Sequence, residues 1–138
     1  MRRFLIPLFL LVALCGAAFA YYQNRQVTGP LSGQSVSSDV AHRRPIAVTI
    51  DNYIDARPQT GLDHASLVYE TLAEGGITRF LAVYLEQDAA MIGPVRSTRL
   101  YFNSWVAGLG AIFGHDGGNV DALQQLPNLT GVFNEDAD

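Results

Sequence analysis

Lysine is absent: all nine cationic residues are arginine. Cysteine and tryptophan occur once each, and charged residues make up only 16% of the 138. The single cysteine, Cys15, rules out a disulfide within the chain. Seven arginines and all thirteen acids lie beyond residue 20, a balance of −6 there. That balance argues against binding nucleic acid through a broad basic surface and leaves room for a local arginine site. The glycines compose neither a dinucleotide fingerprint nor a P-loop, and Ser97 has no nucleophile-elbow setting. Asp51, Asp55, His64, His115 and Asp116 show no compact metal-ligand motif. Neither metal nor cofactor is therefore expected. What is plentiful is apolar: 49% of residues are hydrophobic, enough to fill one core, in a chain too short for two domains.

Met1-Arg2-Arg3 is a short cationic start to an apolar run from Phe4 to Ala20. Residues 1–20 therefore form a signal peptide or a membrane anchor. Ala18-Phe19-Ala20 has the small-x-small pattern of a cleavage site, while residues 4–22 suffice to span a bilayer if uncleaved. Both readings hold Arg2 and Arg3 inside and send the rest across the membrane. Val12-Ala13-Leu14-Cys15 loosely echoes a lipoprotein signal, with Leu14 where a small residue is wanted, so Cys15 is a lipidation candidate. Residues 21–43, rich in Gln, Ser, Gly and Pro, are expected to be a flexible linker.

Residues 44–138 make one domain without internal repeats. Ile46–Ile50 is a β-branched run read as a buried strand. Thr60 with Asp63 matches a capping box, and Leu62, Ala65, Val68, Leu72 and Ala73 follow at helical spacing, predicting a helix stopped by Gly75-Gly76. Ile77–Leu85 is apolar on both alternations, as in a central strand. Gly93-Pro94 is expected to open a second helix carrying Val95, Phe102, Val106 and Leu109 on one stripe. Ala111–Gly114 is a third strand, Val120 and Leu123 mark a brief helix before Pro127, and Leu129–Phe133 is a fourth strand. This alternation implies an α/β fold around a mixed, partly parallel sheet.

Several ordered blocks resemble one known family. Among them are Arg44-Pro45-Ile46-Ala47-Val48, Ile50-Asp51-Asn52, Ala56-Arg57-Pro58-Gln59, Glu74-Gly75-Gly76-Ile77-Thr78-Arg79-Phe80, Ile92-Gly93-Pro94-Val95-Arg96-Ser97 and His115-Asp116-Gly117-Gly118. Over residues 43–133 the chain resembles the N-terminal part of the YerB-like family, DUF3048. The resemblance implies a bacterial lipoprotein or membrane-anchored extracytoplasmic protein, with no agreed biochemical activity. Members continue into a second region, so the resemblance also implies a sheet incomplete at the C-terminus. An unpaired edge there would bring marginal stability and self-association.

Asp51-Asn52 and His115-Asp116-Gly117-Gly118 each follow an expected strand, and ligands of open α/β sheets lie outside the carboxyl ends of strands. On parallel strands these groups would share a rim. His115 could then move a proton, Asp51 could orient it or act as base, and Gly117-Gly118 could present backbone N–H groups. In the alternative, Asp51 and Asn52 cap the loop, His115 makes a structural hydrogen bond and the glycines turn the chain. Arg96 and Arg99, three apart in the first turns of the expected helix, would grip phosphate or carboxylate. Otherwise they pair with Glu70 and Glu74. For Arg79, on the strand face of Leu81 and Val83, a semi-buried ion pair is expected.

The expected function is a membrane-tethered or exported extracytoplasmic domain that binds an unknown protein or an anionic envelope ligand, with no complete catalytic set. Its ligand-binding candidates are Arg96, Arg99, Asn52, Gly117 and Gly118. The alternative is a cell-envelope hydrolase or transferase using Asp51 and His115, with Arg96 and Arg99 as an anion clamp.

Overall fold

The computed structural model describes residues 2–129 and 133–136. The apolar leader forms helix α1 (Arg2–Asn24), on which Cys15 is exposed. Among the described residues no helix is long and apolar enough to cross a membrane. The stretch that follows carries a small hairpin, β1 (Gln26–Thr28) against β2 (Ser35–Ser37). A single turn, α2 (Ser38–Ala41), comes next, with Ser37 Oγ accepting from the Val40 N–H. Glu86 fastens this hairpin to the domain, its Oε1 accepting from the N–H groups of Leu31 and Ser32 at 3.0 and 3.1 Å. Burial would raise its pKa, yet the Ser66 hydroxyl and these amides hold the carboxyl below its ordinary range. Contacts with the domain thus begin upstream of Arg44.

Beyond Arg44 come strands β3 (Ile46–Asp51), β4 (Leu67–Leu72) and β5 (Thr78–Tyr84), helix α3 (Leu100–Leu109), strand β6 (Ile112–His115), helix α4 (Val120–Gln125) and strand β7 (Phe133–Asp136). The sheet order is β4-β5-β3-β6-β7. β3 runs antiparallel to β5, from Ile46 opposite Tyr84 to Asp51 opposite Arg79, and parallel to β6. The fold is therefore α/β with a mixed sheet. Residues one apart on a strand face opposite ways, so β5 divides its side chains between two cores, as a central strand must. Leu81 and Val83 join Ala47, Phe113, Phe102, Val106 and Leu126 beneath the helices. Ala82 joins Val48, Ile50 and Tyr84 under loops carrying Leu62, Ile92 and Val95. Each fully buried Leu, Val, Ile or Phe contributes about 1.5–3 kcal/mol.

One expected helix is not there, and another starts late. Residues 62–73 form a 3₁₀ turn, Leu62–His64, and then edge strand β4. Thr60 does not cap a helix, because its backbone exchanges hydrogen bonds with Gly93 at 2.8 and 3.1 Å. Gly61 lies at φ 81, where a side chain would run into the Met91 carbonyl. Leu67, Tyr69 and Thr71 are half-buried while Val68, Glu70 and Leu72 are exposed, a period of two that the helical spacing of the apolar residues concealed. Val, Tyr and Thr suit a pleated surface, and six-residue pairing with β5 decides the outcome.

The helix expected to open at Gly93-Pro94 is found as α3 (Leu100–Leu109), with Phe102, Val106 and Leu109 on it but not Val95. Residues 94–98 stay extended across the end of β3: Asp51 N–H donates to Pro94 O at 3.0 Å and Arg96 N–H to Thr49 O at 2.9 Å. Farther along, Thr98 N–H donates to Gly117 O at 3.0 Å. Helix α3 starts only at Leu100 and ends on Gly110 at φ 59. The short helix at Val120 and the strand at Ala111–Gly114 are found as α4 and β6, each within one or two residues of expectation. Of the fourth expected strand, Leu129 is coil, 130–132 lie outside the described residues, and β7 starts at Phe133.

Candidate functional site

Because β3 and β6 are parallel, Asp51 and His115 do lie at the same end of the sheet. Counting in twos from Ala47 and Phe113 puts both on the helix-covered face. Between them passes the extended segment 94–98. The Arg96 carbonyl accepts from both the Asp116 N–H and the Thr49 hydroxyl. Asp51 is 6% exposed. One of its oxygens caps the Tyr53 N–H at 3.1 Å, and the other takes Nε of Arg96 at 2.8 Å. Burial pushes its pKa up, but the Tyr53 amide and the Arg96 guanidinium outweigh that and hold it below its ordinary value. His115 is fully buried, its ring tilted at 48° to that of Phe113, and donates from Nδ1 to Gly117 O at 2.9 Å. A carbonyl only accepts, so this bond fixes the proton on Nδ1.

Asn52 is a hub. Its amide nitrogen donates to Glu70 at 3.1 Å and to Thr78 at 2.7 Å, while its oxygen accepts from Arg57 Nε at 3.0 Å and Gln59 at 2.9 Å. All four hydrogen-bonding positions of the amide are used, so it knits the 52–59 loop to β4 and β5. Gly118 faces Thr98 and Leu123 so closely that an added Cβ would stand 2.8 Å from Thr98 Cγ2 and 3.0 Å from Leu123 Cδ2. Gly117, at φ 59, supplies a turn that a side chain would strain.

The arginines divide the labour differently from expectation. Arg99 lies at the boundary of α3, and Arg96 precedes the helix, so they share no helix face. Arg99 grips Glu74 with two parallel bonds, Nε to Oε1 at 2.5 Å and Nη2 to Oε2 at 2.7 Å. The first effect of this fork is to draw the Glu74 pKa down to about 2. Arg96 spends Nε on Asp51 and keeps its side chain 52% exposed. Arg79, where a semi-buried ion pair was expected, is the exception: it is only 9% exposed and forms no ion pair among the described residues. Its Nη1 donates to Ser97 O at 2.6 Å, and its buried Nε has no partner. Burial, then the like charge of Arg99, lowers its pKa; Glu74, Tyr101 and Asp51 oppose this from a distance.

Arg79 and Arg96 line a cavity of about 320 Å³ together with Asp51, Tyr53, Ala73, Glu74 and Ile77. A second cavity of about 480 Å³ shares Asp51, Tyr53 and Arg96 and adds Asp55, Ala56, Pro94 and Val95. Two guanidinium groups, Arg79 and Arg96, and two carboxylates, Asp51 and Glu74, line the inner one, and Asp51 and Glu74 are held by Arg96 and Arg99. Among the described residues no group of three or more His, Cys, Asp or Glu is placed to hold a metal ion. Arg79 escaped sequence reasoning because an apolar strand suggested an internal partner; the signal was a charge inside Ile77–Leu85 with no acid opposite it except Asp51, which Arg96 takes.

Comparison with known proteins gives a family and a structural relative. Residues 31–138 match "Protein of unknown function (DUF3048) N-terminal domain". The chain is 45% identical over 102 residues to "Putative lipoprotein YerB" of Bacillus subtilis (strain 168), covering 74% of this chain and 31% of that protein. The crystal structure of the YerB protein from Bacillus subtilis superposes with a TM-score of 0.76 at 42% identity, over 80% of this chain and 38% of that one. The chain thus spans about a third of the length of this curated relative.

Proposed function

The chain belongs to the DUF3048 family, and we propose that this domain is tethered outside the cytoplasm and binds an anionic ligand at Arg79 and Arg96. The observation that carries the reading is Arg79. A cation taken out of water without a carboxylate costs several kcal/mol or shifts its proton equilibrium. Such a group beside a cavity is most simply understood as awaiting an anion. The exposed guanidinium edge of Arg96 supplies the second point of contact. Asp51 then serves to hold Arg96, Asn52 to fix the loop, and Gly117-Gly118 to bring Thr98 against the α4 turn.

Melting of the full chain in mild detergent, with phosphate, pyrophosphate and carboxylates added, tests this. An anion at a hundred times its Kd should stabilise by about 2.7 kcal/mol. The shift should disappear in Arg79→Met and weaken in Arg96→Gln. If no anion moves the melting point of the unmutated chain, the reading fails.

The tether is supported by the cationic, apolar leader and by the description of the relative as a lipoprotein. Of the fates open to the leader, acylation at Cys15 is the one which that description favours. Labelling with a palmitate analogue should mark the chain and should be lost in Cys15→Ala. An unlabelled chain shed into the medium would point to cleavage after Ala20 instead.

A further inference from the structure

Resting on that anion-binding reading, the shape of the cleft says what else the ligand carries. The two cavities adjoin, sharing Asp51, Tyr53 and Arg96. Their volumes fall within the range of small-molecule sites. Arg79, the buried cation without an ion-pair partner among the described residues, lines only the inner side, and the lining grows more acidic outward. The outer side adds a carboxylate, Asp55, and an apolar wall of Ala56, Pro94 and Val95. Tyr53 lines both parts and is 44% exposed, its backbone held by donation from its N–H to Asp51.

A second anionic group on the ligand would face Asp55 and be repelled, whereas a hydroxyl would donate to it. An exposed aromatic face offers an amphipathic platform at small entropic cost, suited to a partner that is apolar on its face and polar at its rim. A sugar ring has that character. We propose that the cleft takes a saccharide carrying one anionic substituent, with the phosphate or carboxylate at Arg79 and Arg96 and the ring on Tyr53, its hydroxyls directed to Asp55.

Isothermal titration of the full chain with inorganic phosphate, acetate, glucose 1-phosphate, glucuronate and fructose 1,6-bisphosphate tests the assignment. Glucose 1-phosphate should bind about tenfold tighter than inorganic phosphate, or glucuronate about tenfold tighter than acetate, a gain of about 1.4 kcal/mol. Which of the two gains appears identifies the anionic group. The bisphosphate should bind no tighter than the monophosphate. Tyr53→Ala should bring the ratio of sugar to bare anion to about one, and Tyr53→Phe should preserve it. A ratio of one in the unmutated chain, or one that survives Tyr53→Ala, overturns the saccharide. Phosphate binding without sugar preference removes only this inference, whereas silence from every anion removes the anion-binding reading beneath it.

Discussion

Arg79 sets the terms at the scale of single residues. Its charge is buried without an ion-pair partner among the described residues, so an apolar side chain of similar length should hold the unliganded fold as well or better. Arg79→Met is expected to be neutral or stabilising by about 1–2 kcal/mol in the absence of ligand, read from urea melts. Loss of more than that would mean the guanidinium supports the fold through Ser97 O. The Glu74–Arg99 pair behaves in the opposite sense. The folded-state pKa of Glu74 is depressed from 4.5 to about 2. Its contribution is therefore complete above pH 4.5 and disappears as pH falls through about 2. The melting difference between the unmutated chain and Glu74→Gln should be flat from pH 7 to near pH 4.5 and close to zero at pH 2. Because Glu74 is 68% exposed, added salt should shrink that difference at neutral pH.

Among the elements, those with one dominant signal were legible. The β-branched run of β3, the two-sided apolarity of β5, and β6 and α4 between their Gly and Pro boundaries all follow from local pattern. The parallel pairing that brings Asp51 and His115 to one rim was foreseeable only as a condition. β4 was misread because Leu62, Ala65, Val68 and Leu72 satisfy a helical period that its own side chains, alternating in and out, do not obey. The stretch 94–98 was misread for a related reason. Its conformation is dictated by Thr49 and Gly117, distant in sequence, and Pro94 is equally at home before a helix or in an extended chain. The same distance explains why the arginine roles were exchanged: Glu74 meets Arg99 through the β4–β5 turn, which a helix over 62–73 would have placed elsewhere. The fit between this segment and α4 can be measured. Gly118→Ala should cost about 1–3 kcal/mol, since its Cβ would press on Thr98 and Leu123. Paired with Leu123→Ala, the cost should fall, as a double-mutant cycle would show.

For the whole molecule, the mixed sheet holds the attachment at one end and the cleft at the other. Glu86, just past β5, clasps Leu31 and Ser32, and Arg43 pairs with Asp88 at 3.0 Å beside it. Removing the carboxylate in Glu86→Ala should free those two amides at a local cost of about 1–3 kcal/mol. Hydrogen exchange should quicken at Leu31 and Ser32 while Leu81 stays protected; equal acceleration throughout would show that the clasp supports the entire fold.

From Ile46 beside Tyr84 to Asp51 beside Arg79 there are five residue steps, about 17 Å of strand. With the hairpin clasped at the near end, little loose chain is left between α1 and the sheet. A protein fastened in this way holds its arginine at arm's length and facing away from its point of attachment. On the tether proposed above, the cleft would open toward molecules standing clear of the leaflet, and the chain would have to fold back on itself to touch that leaflet.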